Sequence, residues 1–205
     1  MIQAVVFDFG GVLTQGEAAH SRLQEFDDLL GWPGGTLRLR LFAGEAWELA
    51  STGAISPEEH WDRVGADLES RLPPDFRCFR SDPFAHEQIN RDAVELVRRL
   101  SDECRLALCS NALPGLADYL QQSQLAALFD VIVISALVGL RKPDPRIYHV
   151  TAGRLGLPLD ACLLVDDKER NVLAAQAAGM PAVVFESAAG LEASLPALLQ
   201  NGGCP

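Results

Sequence analysis

Hydrophobic residues gather into five short runs along the chain: Ala4–Phe7, Leu106–Cys109, Val131–Ile134, Cys162–Val165 and Ala182–Phe185. Short apolar runs bounded by polar residues and glycines predict buried strands. Helix-like stretches separate the last four runs. Such alternation predicts an α/β fold, a Rossmann-like doubly wound parallel sheet with a five-stranded core and helices on both faces.

The alternation fails once, between the first run and the second. The gap reads as helical. Leu23, Phe26, Leu29 and Leu30 fall on one helical face within Ser21 to Leu30. Ser56-Pro57-Glu58-Glu59 is a helix start, with Ser as cap, Pro at the first position and Glu three after the cap. Trp61, Val64 and Leu68 then share a face, and Leu72-Pro73-Pro74-Asp75 is expected to stop that helix. The chain therefore divides into a core domain, 1–14 and 91–205, and a small helical cap, 15–90, inserted after strand one. Such a cap would sit over the strand ends, where ligands bind in open α/β sheets. Phe9, Trp32, Phe42, Trp47 and Trp61 are candidates for its walls, although most of these aromatics are expected to form the cap's own core.

Further helices are expected from Asn90, with Ala93, Val94, Val97 and Leu100 on one stripe, from Pro114, and from Asp144-Pro145. Two more are expected over Asn171 to Ala178, closed by Gly179, and near Leu191–Leu199. The tail Asn201–Pro205 is expected to fray.

Composition narrows the function classes. The chain has 205 residues and a formal net charge of -11. That charge argues against a nucleic-acid partner, which needs basic surface. No apolar stretch reaches the roughly 18 residues of a membrane span, and no basic leader precedes the first strand, so neither a span nor a cleaved signal is expected. The five cysteines include no C-x-x-C pair. Cys109 and Cys162, in strand runs, read as reduced core residues of a cytoplasmic protein.

The chemistry lies at the strand ends. Asp8 follows the first run, Ser110-Asn111 the second and Asp166-Asp167 the fourth, while the loop after the third carries Lys142. In a parallel sheet these groups converge. Clustered carboxylates suit Mg²⁺, a hard cation that prefers oxygen. Lys142 and Ser110 can take phosphate oxygens, and Asp8 can attack phosphorus. Glycines after Asp8 leave main-chain amides free to approach an anion.

The order Asp8-x-x-Gly11-Val12, Ser110-Asn111, Lys142-Pro143, Asp166-Asp167 resembles the haloacid dehalogenase-like hydrolase superfamily, in its phosphatase type with a helical cap after the first motif. The resemblance spans essentially the whole chain. It implies that Asp8 is both nucleophile and Mg²⁺ ligand, forming an aspartyl-phosphate. It implies that the Gly10 carbonyl also binds the metal, and that Ser110 and Asn111, with the Gly11 amide, hold the phosphoryl group. Lys142 would neutralise charge. Asp167 would bind the metal directly, with Asp166 direct or one shell out.

Position 10 departs from the pattern. Typical phosphatases of the family carry an aspartate there as general acid and base, and this chain has Gly10. It is similar in this to the phosphatase-like domain of soluble epoxide hydrolases and to short sugar phosphatases. Glu17, His20, Glu45 and Glu48 are candidates for the missing proton donor, and the sequence selects none. The expected activity is Mg²⁺-dependent hydrolysis of a small phosphorylated metabolite, by a monomer or homodimer. Two alternatives stay open: a metal-free 2-haloacid dehalogenase, whose aspartate attacks carbon, and a catalytically weak metal- and anion-binding domain. Arg141 is expected on the solvated surface, Asn171 as support for the loop after Asp167, and the histidines as surface or helix residues without metal spacing.

Overall fold

A computed structural model describes residues 1–15, 17–77, 80, 84 and 87–200. The tail Asn201–Pro205, Cys78, His86 and the side chains of Glu17 and His20 lie outside the described residues. Strands β1 (Ala4–Phe7), β2 (Arg105–Ser110), β3 (Val131–Ile134), β4 (Cys162–Asp166) and β5 (Ala182–Val184) form one sheet in the order β3-β2-β1-β4-β5. Every pairing is parallel. This is the doubly wound, Rossmann-like sheet that the pattern predicts.

Both faces of the sheet are buried, which is why its strands are unbroken apolar runs. Val5, Phe7, Leu106, Leu108, Leu163 and Val165 point to one face and pack on helices Arg91–Leu100 and Ala188–Gln200. Ala4, Val6, Ala107, Cys109, Cys162 and Leu164 point to the other, against helices Pro145–Leu155 and Glu169–Ala178. Cys109 and Cys162 are buried and form no disulfide.

The sequence caps act as expected. Ser56 Oγ accepts from Glu59 N at 3.1 Å, Asn90 Oδ1 from Ala93 N at 3.2 Å, and Asp144 Oδ1 from Arg146 N at 3.0 Å. Two helices differ from expectation. The helix after Pro57 ends at Val64 rather than near Leu72. The Trp61 indole lies over Gly65, where an added Cβ would sit 2.8 Å from the ring, and the backbone leaves helical angles there. A 3-10 turn, Ala66–Leu68, still returns Leu68 to the cluster holding Trp61 and Val64. The helix expected from Pro114 begins at Leu116, after Gly115.

The helices inserted after β1 pack on their own cluster, which includes Leu23, Phe26, Leu41, Trp61 and Phe76. Inside it, fully buried Asp27 accepts from Gly35 N and Leu37 N, both at 2.8 Å, and so satisfies the start of helix Thr36–Phe42. The two ends of the insertion are strapped together. Gln15 N donates to Gln88 O at 2.8 Å, Asn90 N to Leu13 O at 2.9 Å, and Asn90 Nδ2 to Val12 O at 3.1 Å. An antiparallel bridge joins Thr14 to Ile89.

Asp27→Ala leaves two buried amide donors unpaired and is expected to cost about 1–3 kcal/mol in urea unfolding. Hydrogen exchange at Leu37 should accelerate in parallel. Asp27→Asn, which keeps one acceptor, should lose less.

Candidate active site

Because β2, β1 and β4 are neighbours, the groups at their C-terminal ends meet at one edge. The register pairs Phe7 with both Leu108 and Val165, and Asp8 N donates to Val165 O at 2.9 Å. Asp8, Ser110 and Asp166 are all buried. Lys142 comes from the loop beyond β3 and is wholly buried, with Nζ 2.5 Å from Asp166 Oδ2 and 3.1 Å from Asp8 Oδ1. Asn111 fixes that loop: its Nδ2 donates to Lys142 O and its Oδ1 accepts from Lys142 N, each at 2.7 Å. The Asn111 amide is thus spent on the main chain of Lys142.

One buried ammonium serves two buried carboxylates unequally. Burial alone would raise the Asp166 carboxyl. The Lys142 charge and hydrogen bond, with bonds from Lys168 N and Asn171 Nδ2, outweigh it and hold Asp166 below the usual carboxylate range. Asp8 is left higher. Burial raises it, Lys142 offsets only part, and the negative charge of Asp166 adds to the rise. On Lys142, burial works toward the neutral amine, but Asp8 and Asp166 together win and raise the ammonium above its ordinary value.

Asp166 is saturated by protein donors. Its Oδ2 takes Lys142 and Asn171, and its Oδ1 takes Lys168 N at 2.9 Å and Asn171 Nδ2 at 2.9 Å. Asn171 therefore holds Asp166 itself, rather than only the loop beyond, and Tyr148 Oη in turn donates to Asn171 O at 2.8 Å. Helix Glu169–Ala178 starts from Lys168 without a side-chain cap.

Asp167 contrasts with Asp166. Its Oδ1 is buried without a hydrogen-bond partner, and Lys168 Nζ stands 3.6 Å away. One oxygen each of Asp8, Asp166 and Asp167 lies within 4.8 Å of the others. Among the described residues, the Gly10 carbonyl accepts no hydrogen bond, and the Gly10 and Gly11 amides donate to no protein acceptor. An orphaned carboxylate oxygen among hard oxygen donors fits a divalent cation such as Mg²⁺.

Asp8, Gly10, Gly11, Ser110, Asn111 and Asp167 line a cavity of about 380 Å³. Phe9, Phe42 and Trp47 line it, whereas Trp61 is buried in the inserted cluster and Trp32 packs against that cluster. Arg141 departs from expectation. It lines the cavity, only 18% of its side chain is exposed, its Nε is buried without a partner, and its Nη1 pairs with Glu48 Oε1 at 3.2 Å. Neither Glu45 nor Glu48 lines the cavity. His60 is a buried helix residue, its Nε2 3.0 Å from Leu41 O.

The sequence pattern does not reveal two features of this wall. Arg38, Arg141, Lys168 and Arg170 bring four cations to the cavity of an acidic chain. Glu87 brings a carboxyl, placed by the strap between Thr14 and Ile89. Burial raises the Glu87 carboxyl above its usual value, and the facing Thr14 hydroxyl offsets this in part. Neither Glu87 Oε2 nor Thr14 Oγ1 reaches a partner with hydrogen-bonding geometry. No motif marks Glu87. A sequence signal would require knowing that residues 88 and 90 pair with residues 15 and 13.

The haloacid dehalogenase-like hydrolase family model matches residues 2–179. The sesquiterpene phosphatase astK of Aspergillus oryzae is 29% identical over 87% of this chain and 87% of its own length. Phosphatase MT3486 of Mycobacterium tuberculosis is 31% identical over 90% of this chain and 88% of its own. The fold resembles that of the HAD family enzyme bt-2542 of Bacteroides thetaiotaomicron, solved with magnesium and inorganic phosphate. That structure has a TM-score of 0.71 and 16% identity, over 91% of this chain and 95% of that one.

Two contrasts test the site geometry. Gly11 has φ 79°, and an added Cβ would lie 2.5 Å from Asp167 Oδ2; at Gly10 an added Cβ meets nothing within 4 Å. Gly11→Ala should therefore lose more than about 1–2 kcal/mol in urea unfolding, the left-handed penalty alone. Gly10→Ala should stay within about 1 kcal/mol of the parent. Lys142→Met strands two buried carboxylates and should cost about 3–5 kcal/mol at pH 7. The depressed Asp166 value contributes stability present above the unfolded value of about 3.9 and lost as pH falls through the lower folded value. Without the ammonium, both carboxyls are raised instead, and stability is lost as pH rises. The deficit should therefore shrink on acidification toward pH 4, which melting curves at several pH values would read.

Proposed function

The chain belongs to the haloacid dehalogenase-like hydrolase family, and from that premise we propose that it is a Mg²⁺-dependent phosphatase acting on a small phosphorylated metabolite. The observation that carries this reading is the buried Asp167 Oδ1, which takes no hydrogen bond, beside Asp8 and Asp166. A metal-free dehalogenase gains nothing from clustered carboxylates that repel one another. A cation answers that repulsion. Relatives named as phosphatases support the reaction class.

In this mechanism Asp8 is the nucleophile. Phe9 N, at 2.6 Å, and Lys142 Nζ both approach Oδ1, which leaves Oδ2 to attack phosphorus and form an aspartyl-phosphate. Lys142 favours the ionised form of Asp8 and balances charge as the phosphoryl group arrives. Ser110 and the unengaged Gly11 amide hold phosphoryl oxygens, and Asn111 sets the position of Lys142. Asp8, Asp167 and the Gly10 carbonyl would hold the Mg²⁺, with Asp166 one shell out because its oxygens are already bonded. The ion would supply charge neutralisation and orient the phosphate.

Residues 15–90 act as the cap that closes the cavity over 1–14 and 91–205. The cavity volume lies within the range of small-molecule sites. Its four cations suit an anionic substrate, and Phe42, Trp47 and Leu113 suit an apolar portion of it. Among the described residues no helix is long and apolar enough to cross a membrane. A cytoplasmic monomer or homodimer accords with this reading.

The test is 4-nitrophenyl phosphate hydrolysis with Mg²⁺. The parent should exceed Asp8→Asn by more than about 10³-fold, and chelation should abolish turnover. A parent no faster than Asp8→Asn would leave only a metal- and anion-binding domain. Halide release from chloroacetate without Mg²⁺ would establish the dehalogenase instead.

A further inference from the structure

We propose that Glu87 is the general acid and base of the phosphoryl transfer, standing in for the side chain that Gly10 lacks. The inference rests on the phosphatase reading above. Three carboxyls line the cavity among the described residues: Asp8, Asp167 and Glu87. The nucleophile and the metal account for the first two. Glu87 remains, its Oε2 buried without a hydrogen bond of good geometry and the Thr14 hydroxyl facing it. A partly buried carboxyl with one buried, unmet oxygen is costly to keep for packing alone.

Its segment is tied to the loop after β1. The main-chain bonds of Gln88 and Asn90 to Gln15 and Leu13, with the Thr14–Ile89 bridge, tie the Glu87 segment to the loop that carries Asp8 and Gly10. In that loop Leu13 N and Thr14 N donate back to Phe9 O at 2.9 and 3.2 Å, so it is itself braced. On the Gly10 side the space is open, since a Cβ added there would meet nothing within 4 Å. Burial favours the neutral acid at Glu87, the form that donates. The charged groups on the facing walls are Asp8 after β1, Arg38 on helix Thr36–Phe42, Arg141 before Lys142, and Asp167, Lys168 and Arg170 after β4.

As Asp8 Oδ2 bonds to phosphorus, the bond from phosphorus to the ester oxygen breaks and its electrons stay on that oxygen. Glu87 gives it a proton, and the alcohol leaves. A water then attacks the aspartyl-phosphate while the Glu87 carboxylate takes its proton. Phosphate leaves, the Asp8 carboxylate is restored, and Glu87 is again the neutral acid.

The experiment compares 4-nitrophenyl phosphate, whose leaving oxygen needs little protonation, with benzyl phosphate, whose alkoxide needs a full proton. Alcohol release in the first turnover is followed with Mg²⁺ for the parent, Glu87→Gln and Glu87→Ala. Loss of general acid help should slow benzyl alcohol release by about 10²–10⁴-fold, and nitrophenolate release by less than about tenfold. The alkaline limb of the parent's benzyl phosphate profile, where rate falls as Glu87 loses its proton, should vanish in Glu87→Gln. Gln preserves shape, and Glu87→Ala repeats the comparison without it. Equal losses on both esters, or no loss on benzyl phosphate, would overturn the role of Glu87 while leaving the phosphatase reading intact. A parent no faster than Asp8→Asn on either ester would overturn both.

Discussion

A single ammonium, Lys142 Nζ, sits without solvent contact between Asp8 and Asp166, and the arrangement of the whole strand-end edge follows from it. Taking three charges out of water costs several kcal/mol per ion, and good geometry with full hydrogen bonding is what offsets that cost. The parallel sheet provides the geometry by setting β1 beside β4. Asn111 provides the hydrogen bonding on the lysine side, through the main chain of Lys142. Asn171 and Lys168 N provide it on the Asp166 side, with Tyr148 behind Asn171. A one-residue slip of β4 would turn Asp166 to the opposite face and strand the charge, so the ion triad also enforces strand register.

The triad leaves a negative remainder. Lys142 leans toward Asp166, Asp8 is only partly compensated, and Asp167 carries a buried oxygen without a hydrogen bond. A divalent cation and a phosphate ester arriving together would balance that remainder. The cavity cations above it set the sign of the approach. A chain of net charge -11 repels anions at long range, and Arg38, Arg141, Lys168 and Arg170 reverse the field where it matters. Arg141 is paired from the insertion side by Glu48.

What the sequence made legible was what depends on local pattern and strand order. Five apolar runs became five strands because both sheet faces are buried. Asp8, Ser110 and Asp166 met because parallel strands bring like ends together. Features set by contacts between distant residues stayed hidden. Gly65 ends a helix because a tryptophan four residues earlier folds over it. The Asn111 amide reads as a phosphate ligand until Lys142 arrives from 31 residues away to occupy it. Arg141 reads as surface until the insertion, through Glu48, covers it. Glu87 becomes a cavity residue only once the insertion's ends are strapped to the loop after β1.

The adjacent glycines show how such constraints separate structure from chemistry. Gly11 answers to the fold: its left-handed backbone and the Asp167 carboxylate against it exclude any side chain. Gly10 answers to nothing in the fold, since its backbone is ordinary and a Cβ would meet no atom within 4 Å. An aspartate at position 10 would add another negative charge beside Asp8 and Asp167, raising the nucleophile's carboxyl further. A proton donor held by the strap avoids that penalty, because burial rather than nearby acids shifts Glu87 toward its neutral form. Gly10 and Glu87 are then two halves of one arrangement, in which the nucleophile is spared a charged neighbour and the proton comes from the segment that closes the insertion.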